Sequence, residues 1–321
     1  MSDLESLGDA RKRQATRTDL SALELDELLH MDIPPRQYLL APIISAKGLL
    51  MVHAKRGIGK TYFALSIAHA VATGTKFMRW TSTAPRRVLY VDGEMPLTAL
   101  QARLKGITSG SAATAPVGNF RLLAADYHED GIPNLASSTG QEAIEPHLDG
   151  ADLLVIDNLS TLAGTVRDND ADSWSEMQSW LLRLRRRGIA VILVHHSGKG
   201  GAQRGTSRRE DSRETVIALK RPEDYSPTEG ARFEVHFENS RGFYGRDAEP
   251  FETRLLMVNG NEVQWTVSDI RDIRTDQVVS LNASGKSLRE IEEETGISKS
   301  AAQRIVSAAK SNGSAASEQQ H

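Results

Sequence analysis

Short apolar runs alternate with amphipathic stretches through the middle of the chain. The runs are Leu49–Val52, Val88–Val91, Leu153–Ile156, Val191–Val194 and Val216–Leu219. Between them, Phe63–Thr73, Leu97–Leu104 and Ser173–Arg187 carry apolar residues at a spacing of about 3.6 with charged residues between, the pattern of helices with one buried face. This alternation predicts an α/β domain, a mainly parallel sheet covered by helices. Further on, Phe233–Phe237 alternates strictly, and Leu255–Val258 and Val263–Val267 flank Asn259-Gly260-Asn261. These segments predict antiparallel hairpins that close the end of the sheet.

The pattern weakens at both ends. Residues 1–36 are polar, end near Pro34-Pro35, and read as a flexible arm with one short helix around Leu20–His30 that either docks on a neighbouring subunit or stays disordered. The main domain is expected over 37–268, a linker over 269–285 including Asn282-Ala283-Ser284-Gly285-Lys286, a small helical unit over 286–310 and a frayed tail over 311–321.

The turn between the first run and the first helix holds the most specific chemistry. Ala54-Lys55-Arg56-Gly57-Ile58-Gly59-Lys60-Thr61 lies between strand and helix, the context a phosphate-binding loop needs. Gly57 and Gly59 let backbone N–H groups close around phosphate oxygens, with the helix N-terminus beneath them. Lys60 would reach the β- and γ-phosphates, Thr61 would hold Mg²⁺, and Tyr62 continues the loop into the helix. The pattern is usually written with Gly first; here that place is Ala54. The alternative is a strand-to-helix turn with no ligand.

Two strand ends supply acids. Val88–Val91 runs into Asp92-Gly93-Glu94, where Glu94 is a candidate general base for an attacking water; otherwise it is a solvent-facing strand-end acid. Leu153–Ile156 delivers Asp157, a candidate Mg²⁺ acid. A third strand ends in His195-His196-Ser197, and His196 is a candidate γ-phosphate sensor; strand-end hydrogen bonding is the plain alternative. With no Cys and no nearby carboxylate cluster, a metal site at the His pair is disfavoured.

Taken together, Ala54–Thr61, Asp92-Gly93-Glu94, Val155-Ile156-Asp157-Asn158 and Val194-His195-His196-Ser197-Gly198-Lys199 resemble the RecA-like P-loop ATPases. More narrowly they look like the plasmid RepA type of hexameric replicative helicase. The resemblance spans residues 37–268 and implies ATP and Mg²⁺ as cofactors. It also implies a ring-shaped homo-oligomer whose sites are completed by a basic residue from the next subunit. Leu219-Lys220-Arg221 resembles the strand-end Arg of ring helicases. Asn239-Ser240-Arg241-Gly242 resembles the Lys-x-Arg-Gly hairpin of related ATPases, with Asn239 in the Lys place. Arg221 and Arg241 are therefore the finger candidates; each alone is also an ordinary solvated cation.

Composition adjusts this picture modestly. The 321 residues (35.2 kDa) hold 39 Lys/Arg and 42 Asp/Glu, a net charge of −3, so any nucleic-acid surface must be local. The absence of Cys suits a reducing cytoplasm, no run approaches the ~20 residues needed to span a bilayer, and Met1–Glu5 lacks a signal-peptide core. The Gly-rich stretch 198–209 carries Lys199 and Arg204 and would grip a DNA backbone, with the loop through Arg167 beside it; a plain surface loop is the alternative. Ser287–Val306 resembles a helix-turn-helix whose second helix presents Lys299, Ser300, Gln303 and Arg304 to duplex DNA, or a helical hairpin used for protein contacts. A DNA-dependent ring ATPase acting in replication of a plasmid, phage or integrated element is the first functional expectation. A non-translocating, ATP-switched DNA-binding regulator is the second. A small-molecule kinase is the third, and it lacks a visible acceptor pocket or lid.

Overall fold

The computed structural model describes residues 22–164, 171–197 and 214–318. Residues 22–36 form a unit of their own, with one short helix, α1 (Leu25–His30), that buries none of its residues. The second unit begins with a small ribbon, β1 (Tyr38–Leu40) and β2 (Ile44–Ser45). Then come β3 (Leu49–Ala54), α2 (Lys60–Thr73), the ribbon β4 (Lys76–Phe77) and β5 (Trp80–Thr81), β6 (Val88–Asp92), α3 (Leu97–Ser109) and β7 (Phe120–Ala124). They are followed by α4 (Ser138–Ile144), β8 (Leu153–Asp157), α5 (Leu159–Leu162), α6 (Ala171–Arg186), β9 (Ala190–His196) and β10 (Thr215–Lys220). The C-terminal part holds β11 (Arg232–Ser240), β12 (Phe251–Val258), β13 (Glu262–Asp269) and the helices α7 (Ile270–Ala283), α8 (Leu288–Thr295) and α9 (Lys299–Glu318).

The large sheet runs β13-β12-β11-β10-β3-β9-β8-β6-β7. Strands β10, β3, β9, β8, β6 and β7 are parallel, and β11, β12 and β13 add to them antiparallel. This is a mixed α/β arrangement, mainly parallel, with the loop-bearing strand in the middle. Strand β3 is buried at every position because both of its faces are covered. The pleat sorts its residues: Leu50, Val52 and Ala54 face one core with α2, and Leu49 and Met51 face the other with α6. Helix α2 is apolar nearly all round, as a helix sealed on every side must be. Its Phe63 makes edge-on contacts with Phe77, Trp80 and Phe233 at centroid distances of 5.6, 5.9 and 6.0 Å.

The expected strands, three helices and terminal hairpins are present. Strand β7 has no counterpart among the expected runs: Arg121 interrupts its apolar stretch, which suits a half-buried edge. The segment 269–285, expected as a linker, is mostly helix α7. Val278 and Leu281 join Ile291, Ala302 and Val306 in a third, small core, so this stretch is an integral part of the helical unit. The apolar spacing Ile270, Ile273, Val278, Leu281 carries the helical period among charged neighbours. The tail expected over 311–321 is likewise helical as far as Glu318, continuing α9 without a proline to stop it. Helix α8 starts with a capping box between Ser287 and Glu290 and stops at Gly296, whose φ of 68° is left-handed.

Candidate functional site

Strand β3 ends at Ala54, and the chain turns through Lys55, Arg56, Gly57, Ile58 and Gly59 before α2 begins at Lys60. Gly59 has φ 122°, and a Cβ there would lie 3.2 Å from the Phe233 ring, so conformation and space both demand glycine. Ile58 is buried and pins the loop, whereas Lys55, Arg56 and Gly57 are exposed. Lys60 is 5% exposed, and its Nζ donates to the carbonyls of Ala54 (3.0 Å) and Lys55 (2.9 Å). An ammonium has three protons, so one remains for a ligand. Burial lowers the Lys60 amine to about 8, against the pull of Asp157 and Glu94; it is still protonated at neutral pH.

Asp157 closes β8 and is 4% exposed. It accepts from the Tyr90 hydroxyl at 2.7 Å and from the Thr61 hydroxyl. Burial raises the Asp157 carboxyl, with those hydrogen bonds and Lys60 opposing. Register sets Asp92 beside it, and Asp92 accepts from the N–H groups of Glu94 (3.0 Å) and Met95 (2.7 Å), fixing the turn that presents Glu94. Burial pushes Asp92 up to about 6.

Glu94 is half exposed. Its carboxylate accepts from the Asn158 amide and lies 3.4 Å from His196 Nε2. Partial burial pushes Glu94 up, but hydrogen bonds from His196 and Asn158 outweigh it and hold the carboxyl below its ordinary value. Burial, then Lys60, lowers the His196 ring, with Glu94 opposing. With Nε2–H turned to Glu94, His196 Nδ1 is buried without a hydrogen-bond partner among the described residues. Asn158 also caps α5, where its Oδ1 accepts from Thr161 N–H at 3.2 Å.

These groups open onto one cleft, walled further by Arg56, Tyr62, Met95, Pro96, Arg103 and Ala231. The Arg103 guanidinium lies 4.7 Å over the Tyr62 ring. The loop residues Arg56–Tyr62 thus line one cleft with Glu94, Asp157 and His196, and Ala54 and Lys55 join them through their carbonyls on Lys60. Arg221 lies against its own chain's loop, donating to Gly57 O at 3.1 Å and stacking 3.8 Å over Tyr225. Arg241 is exposed just beyond β11, its N–H bonded to Glu214 O at 2.8 Å. Lys199, Arg204 and the Arg167 loop lie outside the described residues. Lys299, Ser300, Gln303 and Arg304 are all exposed on α9, but Lys299 Nζ is 3.7 Å from Glu292 on α8.

Tyr90, Asp92, Arg103 and Asn158 also belong to this site, beyond the residues that the sequence marks. Asp92 and Asn158 each neighbour a marked acid, and the Asn158/Thr161 spacing is an N-cap signal. Nothing local marks Tyr90 or Arg103, which meet their partners through the packing of adjacent strands and helices.

A glycine-bent loop with a buried lysine, seated on the central strand of a mainly parallel sheet with strand-end acids beside it, defines a P-loop ATPase domain. The chain belongs to the AAA_25 family, an AAA domain, whose sequence profile matches residues 14–202. A KaiC-like protein from the hyperthermophilic archaeon Pyrococcus horikoshii OT3 superimposes with a TM-score of 0.48 at 14% identity, over 71% of this chain and 93% of that one. Among the described residues, no helix is long and apolar enough to cross a membrane.

Proposed function

We propose that the protein hydrolyses ATP at this cleft. The observation that carries the reading is the convergence of Lys60, Thr61, Asp157, Glu94 and His196 around one loop. The residues suit the ligand: Lys60 has a donor to spare, and Thr61 and Asp157 pair hard oxygen donors as Mg²⁺ requires. Loop N–H groups and Lys60 hold the phosphates. Thr61 and Asp157 would hold Mg²⁺, which would neutralise phosphate charge. Glu94, kept ionised by Asn158 and His196, orients a water and takes its proton as the new P–O bond forms and the bond to the ADP oxygen breaks. His196, at the tip of β9 with Nε2 3.4 Å from Glu94, is placed to sense the terminal phosphate through that contact.

Lys60→Ala should abolish nucleotide binding and turnover while the circular dichroism spectrum stays native. Glu94→Gln should bind ATP yet lose turnover by about a hundredfold or more. Wild-type turnover in either variant would overturn the reading.

We further propose that the ATPase is a DNA-dependent ring motor of the RepA helicase type, a hexamer serving replication of a plasmid, phage or mobile element. In this reading Arg241, exposed beyond β11, is offered to the next subunit, and the 198–209 segment with Lys199 and Arg204 meets single-stranded DNA. The exposed Lys299, Ser300, Gln303 and Arg304 support a second reading, an ATP-switched regulator whose α8–α9 pair meets duplex DNA. Strand displacement with ATP is expected of the motor and not of the regulator. Stimulation of hydrolysis by single-stranded over duplex DNA distinguishes them more cheaply.

A further inference from the structure

His53 is a buried side chain that the chemistry above does not use. It lies on β3 one residue before the loop and is 3% exposed. By the pleat it points to the sheet face opposite Ala54. Its Nδ1 is 2.9 Å from Ser197 Oγ, and its Nε2 is 2.8 Å from a Glu238 carboxylate oxygen. Ser197 directly follows His196, and its own N–H donates to Ala54 O at 3.0 Å.

Glu238 belongs to β11, two strands away, with β10 between. Ala218 of β10 pairs with both His53 and His236, so two strand spacings, about 10 Å, separate the rows that carry His53 and Glu238. The two side chains meet because only the methyl of Ala218 stands between them. A register shift does the rest. Val216 faces Asn239 while Ile217 faces Phe237, which leaves Glu238 as the extra residue of a bulge. Glu238 alternates with Phe237 and so shares the His53 face of the sheet, where the bulge leaves it unmatched by a β10 residue. A carboxylate oxygen accepts, so the bond to Glu238 takes an Nε2–H, and Nδ1 is left to the Ser197 hydroxyl, which can donate or accept.

We propose that His53 is a positioning residue for His196. Through Ser197 and Glu238 it ties the tip of β9 to the far side of the sheet and fixes the reach of the His196 ring to Glu94. The inference rests on the hydrolytic reading of the cleft. Without His53, Ser197 is held by its backbone bond to Ala54, and the 3.4 Å approach of His196 to Glu94 loses its second restraint.

The test compares full-length wild type with His53→Leu, Ser197→Ala, the double variant and His53→Gln, whose amide keeps an N–H donor and an oxygen acceptor. Affinity for a non-hydrolysable ATP analogue and steady-state kcat and KM are measured at a temperature where circular dichroism shows each variant folded. His53→Leu and Ser197→Ala should each lower kcat about tenfold with analogue affinity within about twofold of wild type. The double variant should be no worse than the worse single, as expected of residues acting as a unit. His53→Gln should recover most of the loss. Unchanged kcat, losses that multiply in the double variant, or affinity that falls in step with kcat would each overturn the proposal. Should His53→Leu fail to fold, Ser197→Ala, which removes one hydroxyl, decides the matter on the same readout. Inactive wild type would sink the hydrolytic reading itself; active wild type with an indifferent Ser197→Ala sinks the positioning role alone.

Discussion

Helix α3 starts three residues after Glu94 and carries Arg103 into the cleft, so its seat on β13 matters for the site. Two glycines make that seat. A Cβ on Gly106 would come 2.9 Å from Val263 Cγ2 and 2.9 Å from Asn261 O, and one on Gly110 would come 2.2 Å from Val263 O. Gly110→Ala therefore collides with backbone, and α3 and β13 must separate by roughly 1 Å to restore contact distance. Overpacking of this kind costs about 1–3 kcal/mol, and here backbone rather than side chain must move, so the upper part of the range, about 3 kcal/mol, is expected. Gly106→Ala gains about 1 kcal/mol of helix propensity and meets a side chain as well as a carbonyl, so its net cost should be smaller, about 1 kcal/mol. Val263→Ala removes the methyl that Gly106→Ala strikes and leaves the carbonyl that Gly110→Ala strikes. Urea denaturation of the single and paired variants should show Val263→Ala offsetting part of the Gly106→Ala loss and none of the Gly110→Ala loss. A Gly110→Ala protein as stable as wild type, or one rescued by Val263→Ala, would refute the packing account.

Asp92 is pushed from 3.8 up to about 6 by burial, so the folded chain holds this proton more tightly than the unfolded chain, and the group's contribution to stability falls as pH rises from about 4 to about 6. Asp92→Asn keeps an oxygen for the Glu94 and Met95 N–H groups, so it should be more stable than wild type by roughly 1–3 kcal/mol at pH 7 and lose that advantage below pH ~4. Denaturation midpoints across this range check it, and a pH-independent difference would count against it. Arg221→Ala should weaken ATP-analogue binding several-fold, because the guanidinium steadies the Gly57 carbonyl of its own loop. Unchanged affinity with reduced kcat would instead assign Arg221 to the reaction.

Much of this was legible because the informative residues are adjacent in sequence. The loop Ala54–Thr61 and the acids Glu94 and Asp157 follow apolar runs whose ends are fixed by strand geometry, so one-dimensional pattern sufficed. The rest depends on lateral register. Tyr90 meets Asp157, and His53 meets Glu238, only after strands far apart in sequence are laid side by side. Helix α7 was hidden for a different reason: charged residues dilute its apolar period, and its partners Ile291 and Ala302 lie beyond a glycine break.

The phosphate loop leans on residues that come late in the chain. Gly59 touches Phe233, and β3 takes β10 as its neighbour on one side. The stretch that the family profile matches ends at residue 202, and both partners lie beyond it. Without β10 the loop-bearing strand would present a bare edge, a ready template for other unpaired strands. The C-terminal strands thus shield the loop's own strand from association as well as setting its shape.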